Sequence, residues 1–218
     1  MKFNKLLPLI SFVILITNVC IGQKAKEFEG KILYKHLVTA IDPTYDIQND
    51  YNYTGTTSVF FYKEGKYKWS NNNAYVEMEM FNNKKKESCL KFKENDTIRR
   101  LKSNIENEKI LDFSIIKNGD KVLGHTCDVL VIKAGSNGNS WERRYSFSND
   151  CKINPMSFNN YKYNSTDFIY SKINVLPLKI ELIFKDRKIS YTATSIEEIP
   201  VSDEIFNFPE ATKFKDGI

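Results

Sequence analysis

Apolar residues along most of this chain return at every second position, in runs of five to eleven residues separated by short clusters of Gly, Asn, Asp and Lys. In an extended backbone, side chains two apart lie on the same face, so such runs read as strands with one face buried and the other wet. Apolar spacing of three and four, the mark of a helix, is scarce. The expectation is a mostly β protein built on antiparallel strands, because antiparallel sheets tolerate one solvated face.

Residues 28–38 read as a first strand, with Ile32, Tyr34 and His36 on one face, and residues 40–54, rich in Asp, Asn and Tyr around Pro43, as a long loop. Residues 56–62 and 66–70 form a hairpin through Lys63-Glu64-Gly65, where glycine supplies the positive φ that tight connections need. Residues 75–81 turn through Asn82-Asn83 into 87–92, and 97–101 follow the polar break Glu94-Asn95-Asp96. Residues 111–116 precede a turn at Asn118-Gly119-Asp120, and 126–133 pair across 135–139 with 141–148. Residues 158–166, full of Tyr and Asn, read as a helical turn or a long loop. Pro177 opens a strand over 178–184, Asp186-Arg187 turns, and 189–198 returns.

The N-terminus is of a different kind. Lys2 and Lys5 precede residues 6–19, which are apolar except for Pro8, Ser11, Thr17 and Asn18, and Lys24, Lys26 and Glu27 follow at once. This has the form of a signal peptide and is too short for a spanning helix, which needs roughly 20 apolar residues. Cleavage is expected after Gln23. Asn18 and Val19 suit a lipoprotein signal at Cys20 poorly. Removing residues 1–23 leaves 195 of 218 residues, enough for a single domain over 24–218 with a substantial core. The protein is expected in the periplasm or at the cell envelope, or secreted, with peripheral membrane contact at most.

The formal charge of +5 falls to about +3 without the two leader lysines, and the remaining charges are interspersed, so no nucleic-acid-binding stripe is implied. Lys84-Lys85-Lys86 reads as a solvated turn. Export allows disulfides among Cys89, Cys127 and Cys151. Cys127 and Cys151 flank a hairpin and are the expected bridge, although the turn-centred register puts Cys127 nearer Phe147; Cys89 is then a free, buried thiol. No CxxC or Cys/His spacing suggests a metal or redox site, and no cofactor is expected.

Catalytic templates are missing: the sequence has two histidines, nine glycines, and no Gly-x-Ser-x-Gly, His-Glu-x-x-His or phosphate loop. A carboxylate pair such as Asp112/Asp128 would have to meet in space to act, and nothing singles it out. The expectation is a binding or structural module, not an enzyme. Six residues are candidates for ligand contact. Tyr67 and Trp69 alternate on one strand and can line a groove or a core. Met78 and Met80 share a face and can shape an adaptable apolar surface. Trp141 and Arg143 also share a face; Arg143 can clamp a carboxylate or phosphate, while a surface cross-strand charge pair beside a packed aromatic is the commoner role.

The C-terminal half carries a resemblance. Val122-Leu123-Gly124-His125-Thr126-Cys127 is followed by a hairpin, then by Leu176-Pro177-Leu178-Lys179-Ile180, Thr192-Ala193-Thr194-Ser195-Ile196 and Ser202-Asp203-Glu204-Ile205-Phe206-Asn207-Phe208-Pro209. Over roughly residues 119–210 this resembles the exported envelope proteins of Gram-negative bacteria related to the GLPGLI group and to outer-membrane lipoprotein-sorting carriers. His125 stands where an aromatic is usual, and Asn174-Val175-Leu176-Pro177-Leu178 replaces the GLPGLI string. The resemblance implies a strongly curved antiparallel sheet, an incomplete barrel, with one or two short helices or loops on its concave side. Such a sheet can hold an acyl chain, which makes a lipid, a lipoprotein or an envelope protein the implied partner.

Overall fold

The computed structural model describes residues 26–93, 97–207 and 213–216. The expected leader with Cys20, the polar break at 94–96 and Phe208-Pro209 of the closing motif lie outside them. Among the described residues, one sheet contains β1 (Gly30–Ala40), β2 (Thr57–Lys63), β3 (Lys66–Asn71), β4 (Val76–Asn82), β5 (Glu87–Phe92), β6 (Thr97–Leu101), β7 (Lys109–Val122), β8 (His125–Ser136), β9 (Asn139–Phe147), β10 (Lys179–Ile183), β11 (Arg187–Glu198) and β12 (Lys213–Asp216). Helices α1 (Gln48–Thr54) and α2 (Thr166–Ile173) and three 3₁₀ turns, at Pro155–Phe158, Tyr163–Ser165 and Asp203–Phe206, accompany it.

The strand order is β12-β6-β5-β4-β3-β2-β1-β11-β10-β9-β8-β7. Two antiparallel meanders, β1 to β6 and β7 to β11, are joined where β1 pairs with β11, and β12 adds to β6 in parallel. The connection from β6 to β7 forces the sheet to curl. These strands stand ten intervals apart in the order, about 48 Å if the sheet were flat. The link is only residues 102–108, whose reach is roughly 27 Å. The sheet therefore bends back on itself without closing, as expected. Residues 102–108 cross the opening, where the Ser103 carbonyl accepts from the Lys162 amide at 2.6 Å.

Three of the hairpins turn where two successive residues adopt left-handed backbone: Glu64-Gly65 (φ 46° and 76°), Leu123-Gly124 (50° and 83°) and Asn137-Gly138 (51° and 81°). Such turns match the right-handed twist of the flanking strands. One expected turn is displaced. Asn118-Gly119-Asp120 is a bulge inside β7, where the pairing with β8 slips between Ile116 and Asp120. Asp128 across the ladder holds it, accepting from the Asn118 amide at 3.0 Å and from Lys117 at 2.7 Å. The strand continues to Val122 and turns at Leu123-Gly124. The expected long loop at 40–54 contains α1, tethered by Asp50, which accepts from the Tyr45 hydroxyl at 2.8 Å and pairs with Arg187 at 2.9 Å. Residues 158–166 resolve into short turns leading into α2.

Three apolar clusters follow from the curl. In the first, Tyr34, Tyr62, Tyr67 and Phe81 of the sheet enclose Phe158, Tyr161, Leu176 and Leu178, so the chain fills much of its own concave side. Phe81 stacks on Tyr161 at 4.4 Å, and Phe158 lies 4.3 Å from Tyr170. In the second, Leu130, Ile132 and Tyr145 pack on Ile169 and Ile173 of α2. The third lies on the opposite face, where Met78, Met80, Cys89 and Ile98 are covered by Val201 and Phe206.

Candidate functional site in the interior of the sheet

Alternation along β3 and β4 sends Tyr67, Trp69, Glu79 and Phe81 inward and Lys66, Lys68, Met78 and Met80 outward. Trp69 stands opposite Glu79 in the ladder, and Tyr67 opposite Phe81. Trp69 stacks on Tyr34 at 5.0 Å, meets Phe60 and Tyr191 edge-on at 5.4 and 5.7 Å, and donates its indole N–H to Asn71 at 2.8 Å. The Glu79 carboxylate accepts from the hydroxyls of Tyr67 and Tyr161, the latter at 3.0 Å. Because Tyr161 spends its proton on Glu79, Ser88 donates to Tyr161 at 2.9 Å. Burial pushes the Glu79 carboxyl above its ordinary range, and the two phenols only partly offset this.

The interior that the chain leaves open is a run of three hollows that share walls. The innermost, about 190 Å³, is bounded by Phe60, Tyr67, Arg143, Tyr145 and Tyr170. A middle one of about 380 Å³ is bounded by Tyr53, Trp69, Tyr163 and Tyr191. These two share Trp69, Glu79, Asn164, Ile180 and Leu182. The outermost, about 700 Å³, shares Tyr53, Leu90 and Tyr163 with the middle one and is walled on its far side by the exposed Arg99, Lys102, Ile105 and Lys215. That residues of β4 and β9, six strands apart in the order, wall one hollow is a further consequence of the curl.

Of the six expected contact residues, Tyr67, Trp69 and Arg143 converge on this interior. Arg143 is not in a surface pair: it is buried, it donates to the buried Glu108 and to the Asn164 carbonyl at 2.8 Å, and Ser165 also donates to Glu108 at 2.7 Å. Trp141 shares its face but packs half-buried against the α2 cluster. Met78 and Met80 lie on the other side of the sheet under Val201 and Phe206. The expected Cys127–Cys151 bridge is also corrected, since both are free, buried thiols. Cys127 is held opposite Asp120, its thiol donating to the His125 carbonyl at 3.6 Å, while Cys151 lies beyond the end of β9. Burial raises the Cys151 thiol to about 12 and that of Cys89 to about 11. Asp112 faces Lys133, five positions along β8 from Asp128 and so about 16 Å away. Among the described residues no group of three or more His, Cys, Asp or Glu is placed to hold a metal ion, and no helix is long and apolar enough to cross a membrane.

Glu79, Tyr53, Tyr163 and Tyr191 were not legible as site residues. Read alone, Val76-Glu77-Met78-Glu79-Met80 puts methionine inside and glutamate outside, and the fold inverts this because the 199–207 segment covers the outer face.

The fold and its interior define a class: an open, strongly curved β-sheet with an aromatic-walled hollow on its concave side. No family model matches the chain, and no curated protein does. Among solved structures it is similar to PNGF-II in a C2 space group, with 14% identity and a TM-score of 0.44 over 86% of this chain and 31% of that one. The chain thus spans about a third of that protein's length. A likeness of that size says nothing about activity.

Proposed function

We propose that this chain is an exported, non-enzymatic envelope protein that takes an apolar or amphipathic small ligand, such as a lipid, into the interior of its curved sheet. The observation that carries the reading is the connected hollow, whose middle and outer parts, about 380 and 700 Å³, have the size and aromatic-aliphatic walls of small-molecule sites. The resemblance to lipoprotein-sorting carriers supports the same reading. A second reading, a structural or protein-binding envelope component without a small ligand, is favoured by one specific feature. Edge strand β7 exposes Leu111, Phe113, Ile115 and Ile116, and such an edge can accept a strand from another chain.

Native mass spectrometry of the mature protein purified from its own envelope, followed by denaturation and organic extraction, separates the two. The first predicts a mass above that of the processed chain, which falls to the bare mass on denaturation as an amphiphile appears in the extract. A bare chain that gains no mass when envelope lipids are added would overturn it. A co-purifying protein that is lost on substituting Phe113 and Ile115 by lysine would establish the second.

A further inference from the structure

We propose that the interior selects a zwitterionic amphiphile, with its ammonium group in the middle hollow against Trp69, Tyr163 and Tyr191, Glu79 as counter-ion, and its anionic group at the basic mouth. The proposal rests on the ligand-binding reading above and narrows it to one chemistry.

The distribution of charge carries the argument. The chain has 32 Lys and Arg against 27 Asp and Glu, yet among the described residues no basic side chain walls the middle hollow, where Glu79 is the one charged group. Four aromatic side chains, Tyr53, Trp69, Tyr163 and Tyr191, wall the same hollow as that carboxyl. Aromatic faces attract cations through the ring quadrupole, and a desolvated carboxylate gains from a cation what burial has taken from it. A plain acyl chain in the same place would leave Glu79, Asn71, Asn164 and Thr54 facing methylene groups. Farther out the sign reverses. The outer hollow is rimmed by Arg99, Lys102 and Lys215, with Leu90, Phe92, Leu101 and Ile105 between them, which suits an anion and a hydrocarbon tail in turn. Ammonium inside, anion and chain outside is the order of groups in an alkylphosphocholine or an ethanolamine phospholipid.

Proton linkage gives the proposal a second readout. The groups facing Glu79 are the hydroxyls of Tyr67 and Tyr161 and the phenols of Tyr163, Tyr170 and Tyr191, and Arg143, whose charge is matched by Glu108, lines the innermost hollow with it. Burial holds the Glu79 carboxyl protonated to a higher pH than usual, and a bound cation favours its ionised form. Affinity for the cation therefore falls as pH drops through the Glu79 transition, and binding at that pH releases a proton.

The test titrates the mature protein with monomeric hexylphosphocholine, hexyltrimethylammonium and hexyl sulfate. It follows Trp69 emission in a Trp141→Phe background and heat in buffers of different ionisation enthalpy. The expected order is phosphocholine, then trimethylammonium, with the sulfate at least tenfold weaker than phosphocholine. Glu79→Gln, which keeps acceptors for both phenols, should weaken the first two at least tenfold and abolish proton release. Equal binding of all three probes to the unsubstituted protein would overturn the selectivity while leaving the interior a general hydrocarbon site. Unchanged binding by a folded Glu79→Gln protein would overturn it as well. Failure of every probe, together with a bare mass from the envelope, would remove both this inference and the ligand-binding reading.

Discussion

Arg143 shows what a single buried charge demands of this fold. Its guanidinium is held by Glu108 and the Asn164 carbonyl, and Glu108 is held in turn by Ser165, so the pair ties β9 to the crossing segment before β7 and to the turn before α2. Removing one member leaves the other charge buried and alone, which typically costs about 3–5 kcal/mol, whereas replacing both by apolar residues of similar volume is often close to neutral. Arg143→Ala is therefore expected to lower unfolding free energy by about that much in urea titrations, and Arg143→Met combined with Glu108→Leu to recover most of it. A double variant no more stable than the single one would show that the pair does not act as a unit. In sequence, Trp141 and Arg143 were legible as sharing a face. That the face points inward was not, because Glu108 lies 35 positions away.

Turns are the elements that local sequence specifies best, and two of them can be compared directly. Gly65 and Gly124 both have φ near +80°, at +76° and +83°. A Cβ on Gly124 would meet nothing within 4 Å, but one on Gly65 would lie 2.6 Å from the side chain of Ser157. Gly124→Ala should cost only the backbone strain of a left-handed residue, about 1–2 kcal/mol. Gly65→Ala should cost more, because the β2–β3 turn must also move away from the Pro155–Phe158 turn packed against it. Thermal melts of the two variants check the order, and a Gly124→Ala variant at least as damaged as Gly65→Ala would refute it. The misplaced turn at Asn118-Gly119-Asp120 teaches the converse. An Asn-Gly pair signals left-handed backbone, but whether this ends a strand or bulges it depends on the partner strand, here on the Asp128 carboxylate.

At the scale of the molecule, the concave side of the sheet is divided between self-filling and open space, and Phe158 sits on the dividing line. It is fully buried and packs on Phe81, Tyr62, Tyr67 and Tyr170, joining the 151–178 segment to the first meander. Phe158→Ala should cost about 3–5 kcal/mol, in the range for truncating a buried aromatic. It should also leave a void beside the innermost hollow, so that an apolar dye binds more tightly to the variant than to the parent. A small loss with unchanged dye binding would mean that the segment is docked by its other contacts.

Period-two alternation and turn residues by themselves determined that this chain is β-rich, where most strands begin and end, and that the strands pair as meanders, because these properties depend on neighbours in sequence. The curvature was also expected, but only through resemblance. Tertiary structure decided which face is inside where a strand is apolar on both. The β4 strand carries apolar residues on both faces, and only the 199–207 segment lying over Met78 and Met80, with Phe158 and Tyr161 facing Phe81, selects the inward set. It also decided the site. Glu79, Trp69, Tyr163 and Tyr191 come from β4, β3, the turn before α2 and β11, and contacts between elements so far apart in the chain have no period for a sequence to display.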